Sequence, residues 1–183
     1  MHAHDSDENL MLRYAAGDAA AFEALYARHR APLSRYVLRQ VDRDNADELY
    51  QDIWLKLIDA RGGYEPSAKF TTWLYRIARN RLIDHYRRRS IRPVDNDISA
   101  ISTHAGRDCD QPEQRVESQD KMQRLLAAIA DLPREQKDVF LLREQAGLGL
   151  AEIADITGAS FETAKSRLRY ALQRLRRVLE ETS

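Results

Sequence analysis

Between Thr163 and Leu179 the chain carries six basic side chains, Lys165, Arg167, Arg169, Arg174, Arg176 and Arg177, and no acidic one. Cations at this density neutralise phosphates, and Arg or Lys near the start of a helix can reach base edges in a major groove. A second cluster lies at 69–89, where arginines alternate with Trp73 and Tyr75 and end in the run Arg87, Arg88, Arg89. Guanidinium groups there suit phosphates, and aromatic faces accept unstacked bases at about 1–3 kcal/mol per stack, a chemistry for single-stranded nucleic acid. The plainer alternative makes the rings core residues and the arginines favourable charges at a helix C-terminus; for Trp73 the core reading is preferred.

Other chemistry finds little to work with. His2, His4, His29, His85 and His104 show no spacing that joins a Cys or Glu cluster, so neither a metal nor another cofactor is expected. Asp84 and His85 are adjacent on one helix, point in different directions and have no nucleophile beside them. A phosphate-cradling glycine loop and a serine elbow are both missing. Strand cleavage would need clustered carboxylates or metal ligands, so an enzyme is not expected. The single cysteine, Cys109, excludes an intramolecular disulfide and suits a reducing cytoplasm. The N-terminal residues are polar and acidic rather than secretory, and no apolar run nears the ~20 residues of a membrane span.

Helices must position these groups. Ala151–Ile156, Gly158 and Thr163–Leu179 read as a helix-turn-helix, with Ser160 as N-cap and Phe161, Ala164, Leu168, Leu172, Leu175 and Leu179 as the apolar face. Upstream, helices are expected at Asn9–Ala16, at Ala19 to about Val41 with Pro32 bending or breaking it, at Asn45–Ala60 and at Phe70–Arg89. The core face of the last is expected from Phe70, Trp73, Leu74 and Ile77. Further helices are expected from Asp120, with Met122, Leu125, Leu126 and Ile129 as apolar positions, and over Arg134–Gln145.

No convincing strand pattern occurs, so the fold class is all-α. The expected layout is a tail and short helix at 1–18, a helical domain at 19–90, a flexible acidic linker at 91–119 and a second helical domain at 120–183. Zero net charge conceals segregation: residues 1–60 carry −4, 61–92 carry +7, 93–120 carry −5 and 121–183 carry +2. Two basic surfaces separated by acid favour two distinct contacts with a polyanion.

The run Phe70–Arg89, with Asn45-Ala46-Asp47-Glu48-Leu49-Tyr50-Gln51-Asp52-Ile53-Trp54 before it, closely resembles region two of the extracytoplasmic-function (ECF) sigma factors of the sigma-70 family. Asp131-Leu132-Pro133, Val139–Glu144 and Ile153-Ala154 through Thr163–Leu168 resemble region four of the same group. Both blocks stand in family order across the linker. The resemblance implies a transcription initiation factor in the cytoplasm, whose partners are core RNA polymerase, promoter DNA as duplex and as melted non-template strand, and an anti-sigma factor, with no membrane insertion.

It also implies residue roles. Asp47, Glu48, Gln51 and Asp52 would dock on the polymerase. The loop Gly62–Lys69 with Tyr75, Arg76, Arg79, Asn80, Arg87 and Arg88 would handle the minus-ten element as it melts. Lys165, Ser166, Arg169 and Tyr170 would meet bases of the minus-thirty-five element, with Arg143, Thr163 and Arg167 near its backbone. Departures from the family pattern are Glu162 in place of a small residue, Gly149 in place of a hydroxyl cap, and Tyr170 where a polar residue is common. A transcription regulator with a sensory N-terminal domain would account for 150–179, but not for arginines interleaved with aromatics at 70–89.

Overall fold

The computed structural model describes residues 5–91 and 112–180, and eight α-helices order them. His2, His4, His104 and Cys109 lie outside the described residues, as does the expected linker over 92–111. The helices are α1 (Asp7–Ala15), α2 (Ala19–Leu38), α3 (Arg43–Ala60), α4 (Phe70–Ile91), α5 (Pro112–Ala130), α6 (Arg134–Ala146), α7 (Leu150–Thr157) and α8 (Phe161–Glu180), with a 3-10 turn at Arg61–Gly63. Among the described residues no helix is long and apolar enough to cross a membrane.

Short polar side chains set the starts of the first three helices. Ser6 Oγ accepts the Asn9 N–H at 3.2 Å, Asp18 accepts those of Ala20 and Ala21, and Asp42 accepts that of Asn45. The start of α4 is completed from far away: the Phe70 N–H donates to Glu8 Oε1 of α1 at 2.9 Å. That carboxylate also lies at the positive end of the α4 dipole.

Two boundaries differ from the sequence reading. Pro32 does not break α2, because buried Leu25, His29, Leu33, Tyr36 and Val37 anchor the helix on both sides of the missing N–H. Helix α5 begins at Pro112, inside the span expected as linker. Proline is tolerated in a first helical turn, and the polar residues that follow give no apolar period to betray the helix.

The buried apolar side chains form one connected cluster with two parts, one within α1–α4 and one within α5–α8. The first contains Leu10, Met11, Leu25, Leu33, Ile53, Leu57, Phe70 and Leu74, with Phe22, Tyr26 and Trp54 clustered at its edge at centroid distances of 4.9–6.2 Å. The second is built on Ile129, Leu132, Val139, Leu141, Leu142, Leu148, Ile153, Ala164, Ala171 and Leu175. The two units touch along α2 against α6 and α4 against α6 and α7.

An ionic network ties α1 to α2. Asp7 accepts His29 Nε2 and Arg28 Nη1, each at 2.7 Å, and the His29 ring lies 5.1 Å from that of Phe70. The Asp7 carboxyl sits below its ordinary value, first because His29 hydrogen-bonds it, against the opposing effect of burial, with Arg28 assisting. A depressed folded pKa contributes stability that is complete above the unfolded value of about 3.9 and is lost as pH falls through the folded one. Asp7→Asn is therefore expected to lower the melting temperature at neutral pH, with the difference from wild type closing as the pH falls below the ordinary carboxylate range. Circular dichroism melts across pH check this; a difference independent of pH would mean that the charge of Asp7 does not hold α1.

Candidate nucleic-acid interface

Helix α4 buries Phe70, Leu74, Tyr75, Ala78 and Leu82, leaving Trp73 and Ile77 half-buried beside that stripe. The expected core face is thus turned by about a third of a helical turn, and Tyr75 changes sides. Its ring packs edge-on against Tyr36 at 5.2 Å, burial pushes its phenol pKa up, and its hydroxyl has no hydrogen-bond partner among the described residues. Tyr75 is therefore corrected from an exposed stacking platform to a core residue. The stripe steps 70, 74, 78, 82 place Tyr75 next to it, where the ring's area is better buried than wet.

The other expected α4 residues lie on the surface to different degrees. Asn80, Arg87 and Arg88 are exposed. Arg76 pairs with Asp155 of α7, while Arg79 donates to Asp138 of α6 at 2.6 Å and to the Ile156 carbonyl at 3.2 Å. Nearby, Lys69 Nζ and Thr72 Oγ1 reach Glu152 of α7 at 3.3 and 3.0 Å. Asp138 also accepts from Tyr36 Oη at 3.0 Å and Gln40 Nε2 at 3.3 Å. Burial first, and then the Asp138 carboxylate, push the Tyr36 pKa well up, so the phenol remains a donor. Asp138, Glu152 and Asp155 went unremarked in the sequence because nothing local distinguishes them from ordinary surface acids.

The helix-turn-helix forms from α7 and α8. Gly158 closes α7 at φ 67°, ψ 25°, and Ser160 caps α8 by accepting the Thr163 N–H at 3.1 Å. Gly149, which has no side-chain acceptor to offer, instead donates its N–H to Glu152 at 2.7 Å, and α7 starts at Leu150. The inward stripe of α8 is Ala164, Leu168, Ala171, Leu175 and Val178, rather than the expected face through Leu172; Phe161, Leu172 and Leu179 are exposed. Met122 of α5, also expected inside, is exposed as well.

This rotation leaves Thr163, Lys165, Arg169 and Tyr170 facing outward and Ser166 and Arg167 half-buried. Lys165 sits 3.7 Å from Glu162, so the acidic departure has a cationic neighbour one turn away. The Arg169 guanidinium lies 5.1 Å from the centroid of the Tyr170 ring. Arg167 pairs with Glu135, and Arg143 donates to the Leu148 carbonyl at 2.9 Å, bracing the turn before α7. A cleft of about 220 Å³ separates Arg79 and Asp138 from Gly158, Thr163 and Arg167.

On the far side of the first unit, α3 exposes Asp47, Glu48 and Gln51, with Asp52 half-buried in a shallow cleft beside Arg81 and Arg88. Leu55 continues this strip and is 58% exposed. Its signal in the sequence is its absence from the periodic set Leu49, Ile53, Trp54, Leu57 and Ile58.

Two compact helical units, one with an arginine-rich strut and the other with a basic helix-turn-helix, define a promoter-recognition factor of the sigma-70 type. Residues 25–91 match the family profile described as Sigma-70 region 2, and residues 122–175 that described as Sigma-70, region 4. The chain is 30% identical over 170 residues to the ECF RNA polymerase sigma-E factor of Haemophilus influenzae, covering 89% of each protein. It is 28% identical over 187 residues to the RNA polymerase sigma-H factor of Pseudomonas aeruginosa, covering 98% of this chain and 97% of the relative.

Among solved structures, the sigma factor RpoE of Bartonella quintana, in complex with the anti-sigma factor NepR, has the same fold, with a TM-score of 0.73 at 22% identity over 87% of this chain and 96% of that one. CnrH in complex with the cytosolic domain of CnrY gives 0.70 at 23% over 98% and 100%. The chain belongs to the ECF group of sigma-70 family RNA polymerase sigma factors. It is a transcription initiation factor that binds core RNA polymerase and directs it to promoters.

Gly158 offers a test of how α8 is aimed. A Cβ there would meet nothing within 4 Å, so any cost of Gly158→Ala lies in the left-handed backbone alone. The variant is expected to be less stable by roughly 1–2 kcal/mol, and Gly158→Asn by less, since Asn tolerates that conformation. Urea unfolding measures both; equal stability of the Ala and wild-type chains would mean that the turn can relax without this geometry.

Proposed function

We propose that α4 carries the strand-opening surface for the minus-ten element and that α8 reads the minus-thirty-five element in the major groove. The observation that carries this reading is the pair of outward cationic faces, Arg76, Asn80, Arg87 and Arg88 on α4 and Lys165, Arg169 and Tyr170 on α8. Each stands opposite a buried stripe of its own helix, so each is held by packing rather than by a loop. Asn80 supplies an amide that can hydrogen-bond a base edge, while the arginines hold the neighbouring phosphates. Tyr75 takes no part in stacking and supports the helix from below.

In the same reading, Asp47, Glu48, Gln51 and Asp52 contact core polymerase, and Leu55 adds an apolar knob to that strip. Complementary charge at such a contact sets register and encounter more than affinity. Arg143, Thr163, Ser166 and Arg167 flank the base-reading residues and steer the backbone of the duplex. The protein works in the cytoplasm on DNA without catalysing a reaction of its own, and an anti-sigma partner holds it in reserve, as NepR is bound to the Bartonella relative.

Reconstitution with core polymerase and mapping of transcript starts tests the whole reading; a chain that binds core yet initiates without promoter preference would overturn it. Within it, Lys165→Ala and Arg169→Ala are each expected to cost about 1–3 kcal/mol in duplex binding and to relax preference at particular positions. Arg167→Ala is expected to weaken all sequences alike and make the salt slope shallower by about one. A base-substitution scan unchanged by Lys165→Ala would remove that residue from base reading.

Asn80→Ala is expected to leave core binding and closed complexes intact while impairing opening, with partial rescue on a template already melted at the minus-ten element. Permanganate footprints on duplex and bubble templates report this. Normal melting of the duplex by the variant would exclude Asn80 from the opening surface.

A further inference from the structure

The outward face of α8 does not stop at Tyr170. Thr163, Ser166, Tyr170, Gln173 and Arg177 follow one another at steps of three, four, three and four, which keeps them on one side of the helix, and Arg174 stands one turn after Tyr170 beside them. All but half-buried Ser166 are exposed. The inward stripe runs on to Leu175 and Val178, so the direction set at the start of the helix is kept at its end. No acidic side chain interrupts the run from Thr163 to Leu179.

Past Tyr170 this face is hollowed. Tyr170, Gln173, Arg174 and Arg177 of α8 and Gln136 of α6 line a groove of about 290 Å³. Two guanidinium groups, two amides and a phenol offer donors there, and no carboxylate lines it. Arg167, nearer the start of the helix, is paired with Glu135, whereas neither Arg174 nor Arg177 has an ion pair or hydrogen bond among the described residues. Guanidinium groups gathered in a groove without counter-charge suit the oxygens of a phosphate.

The length of α8 indicates which phosphates these are. Its 20 residues make it about 30 Å long, while the major groove is about 12 Å wide. A helix whose first turns reach base edges carries its last turns past the strand that walls the groove. Tyr170 to Arg177 is about 10 Å of helix, enough to follow that strand over more than one phosphate.

We propose that Arg174 and Arg177, with Gln136 and Gln173, form a phosphate-binding groove for the DNA strand bordering the minus-thirty-five element, outside the bases that α8 reads. The proposal rests on the major-groove reading of α8 and extends it beyond the positions that the family likeness assigns. Phosphate contacts position a reader and carry no sequence information, so this groove sets how firmly and at what salt the promoter is held and leaves preference to Lys165 and Arg169.

The test uses Arg174→Gln and Arg177→Gln, singly and together, because glutamine keeps donors and removes the charge. Each chain is assembled with core polymerase on a promoter mapped with the wild-type holoenzyme, and ethylation interference marks the phosphates whose modification weakens the complex. Wild type is expected to show a cluster of sensitive phosphates just outside the minus-thirty-five element, and the double variant to lose that cluster alone. The double variant's binding is also expected to fall less steeply with salt, by about two in the logarithmic slope, so that a deficit of about tenfold at about 50 mM salt is nearly gone at about 200 mM. Base preferences are expected to match those of wild type.

An interference pattern shared by wild type and the double variant would overturn the proposal, with the single variants deciding should the double one not fold. A loss confined to base preference would overturn it as well. So would weaker assembly with core at unchanged phosphate contacts, which would give the two arginines to a protein partner. Lys165→Ala keeps the two layers apart: unchanged base preference in that variant counts against the base-reading role of α8, whereas the bordering phosphates report the groove alone.

Discussion

Helix α4 has to bury one stripe and leave the rest of its surface for other uses, and the remainder of the molecule is arranged around that division. With 22 residues it runs the length of the first unit, and Phe70, Leu74, Ala78 and Leu82 fasten it to the core at intervals of one turn. Truncating Phe70, Leu74 or Leu82 to alanine would open a cavity under the helix at about 2–5 kcal/mol. Because the stripe is continuous, the exposed positions 76, 80, 87 and 88 keep fixed directions. Glu8 at the first N–H and the His29 ring against Phe70 fix where the helix begins, which gives α1 a positioning role besides its own packing.

The arginines that make this helix useful are also its difficulty. A row of cations on one face is stable only with counter-charge close by, supplied by water and salt or by protein carboxylates. Here the second unit supplies it, and Arg89 finds Asp42, the N-cap of α3, in the same way at 2.6 Å. The Asp42 carboxyl is held below its usual value, most by Asn45 and then by Arg89 against the effect of burial. The carboxylates that answer α4 come from Asp42 and from the net-positive span 121–183, so the charge of a segment along the chain does not decide which surface stays cationic.

Much of this was legible in the sequence, because period and punctuation are local. The helix-turn-helix could be placed from Gly158, Ser160 and the apolar recurrence after them, and the core of α3 from Leu49, Ile53, Trp54 and Leu57. What escaped was the rotation of helices about their own axes. In α8 the positions 161, 164, 168, 172, 175 and 179 satisfy helical spacing as well as 164, 168, 171, 175 and 178 do, and small Ala171 gave no hint that it faces inward. In α4 the aromatic content of 73 and 75 left both faces open to burial, and only the neighbours Tyr36 and Tyr64 decide between them. The start of α5 escaped for the opposite reason, since the mostly polar residues 112–118 leave no apolar period to find.

The pairings between units were beyond the sequence in principle, because they join positions 59–110 residues apart through single ion pairs and hydrogen bonds. Their chemistry still constrains what the molecule can do. An apolar seam of similar extent would fix the two units as one body, since exposing it would cost in proportion to its area. The polar pairs along α4 cost little to separate, because water and salt can replace each of them, whereas the apolar cluster that continues between the units favours keeping them together. The firm point is Asp138, where three donors converge on one partly buried carboxylate: opening there must hydrate Tyr36, Gln40 and Arg79 together, so this cluster outlasts the exposed pairs beside it.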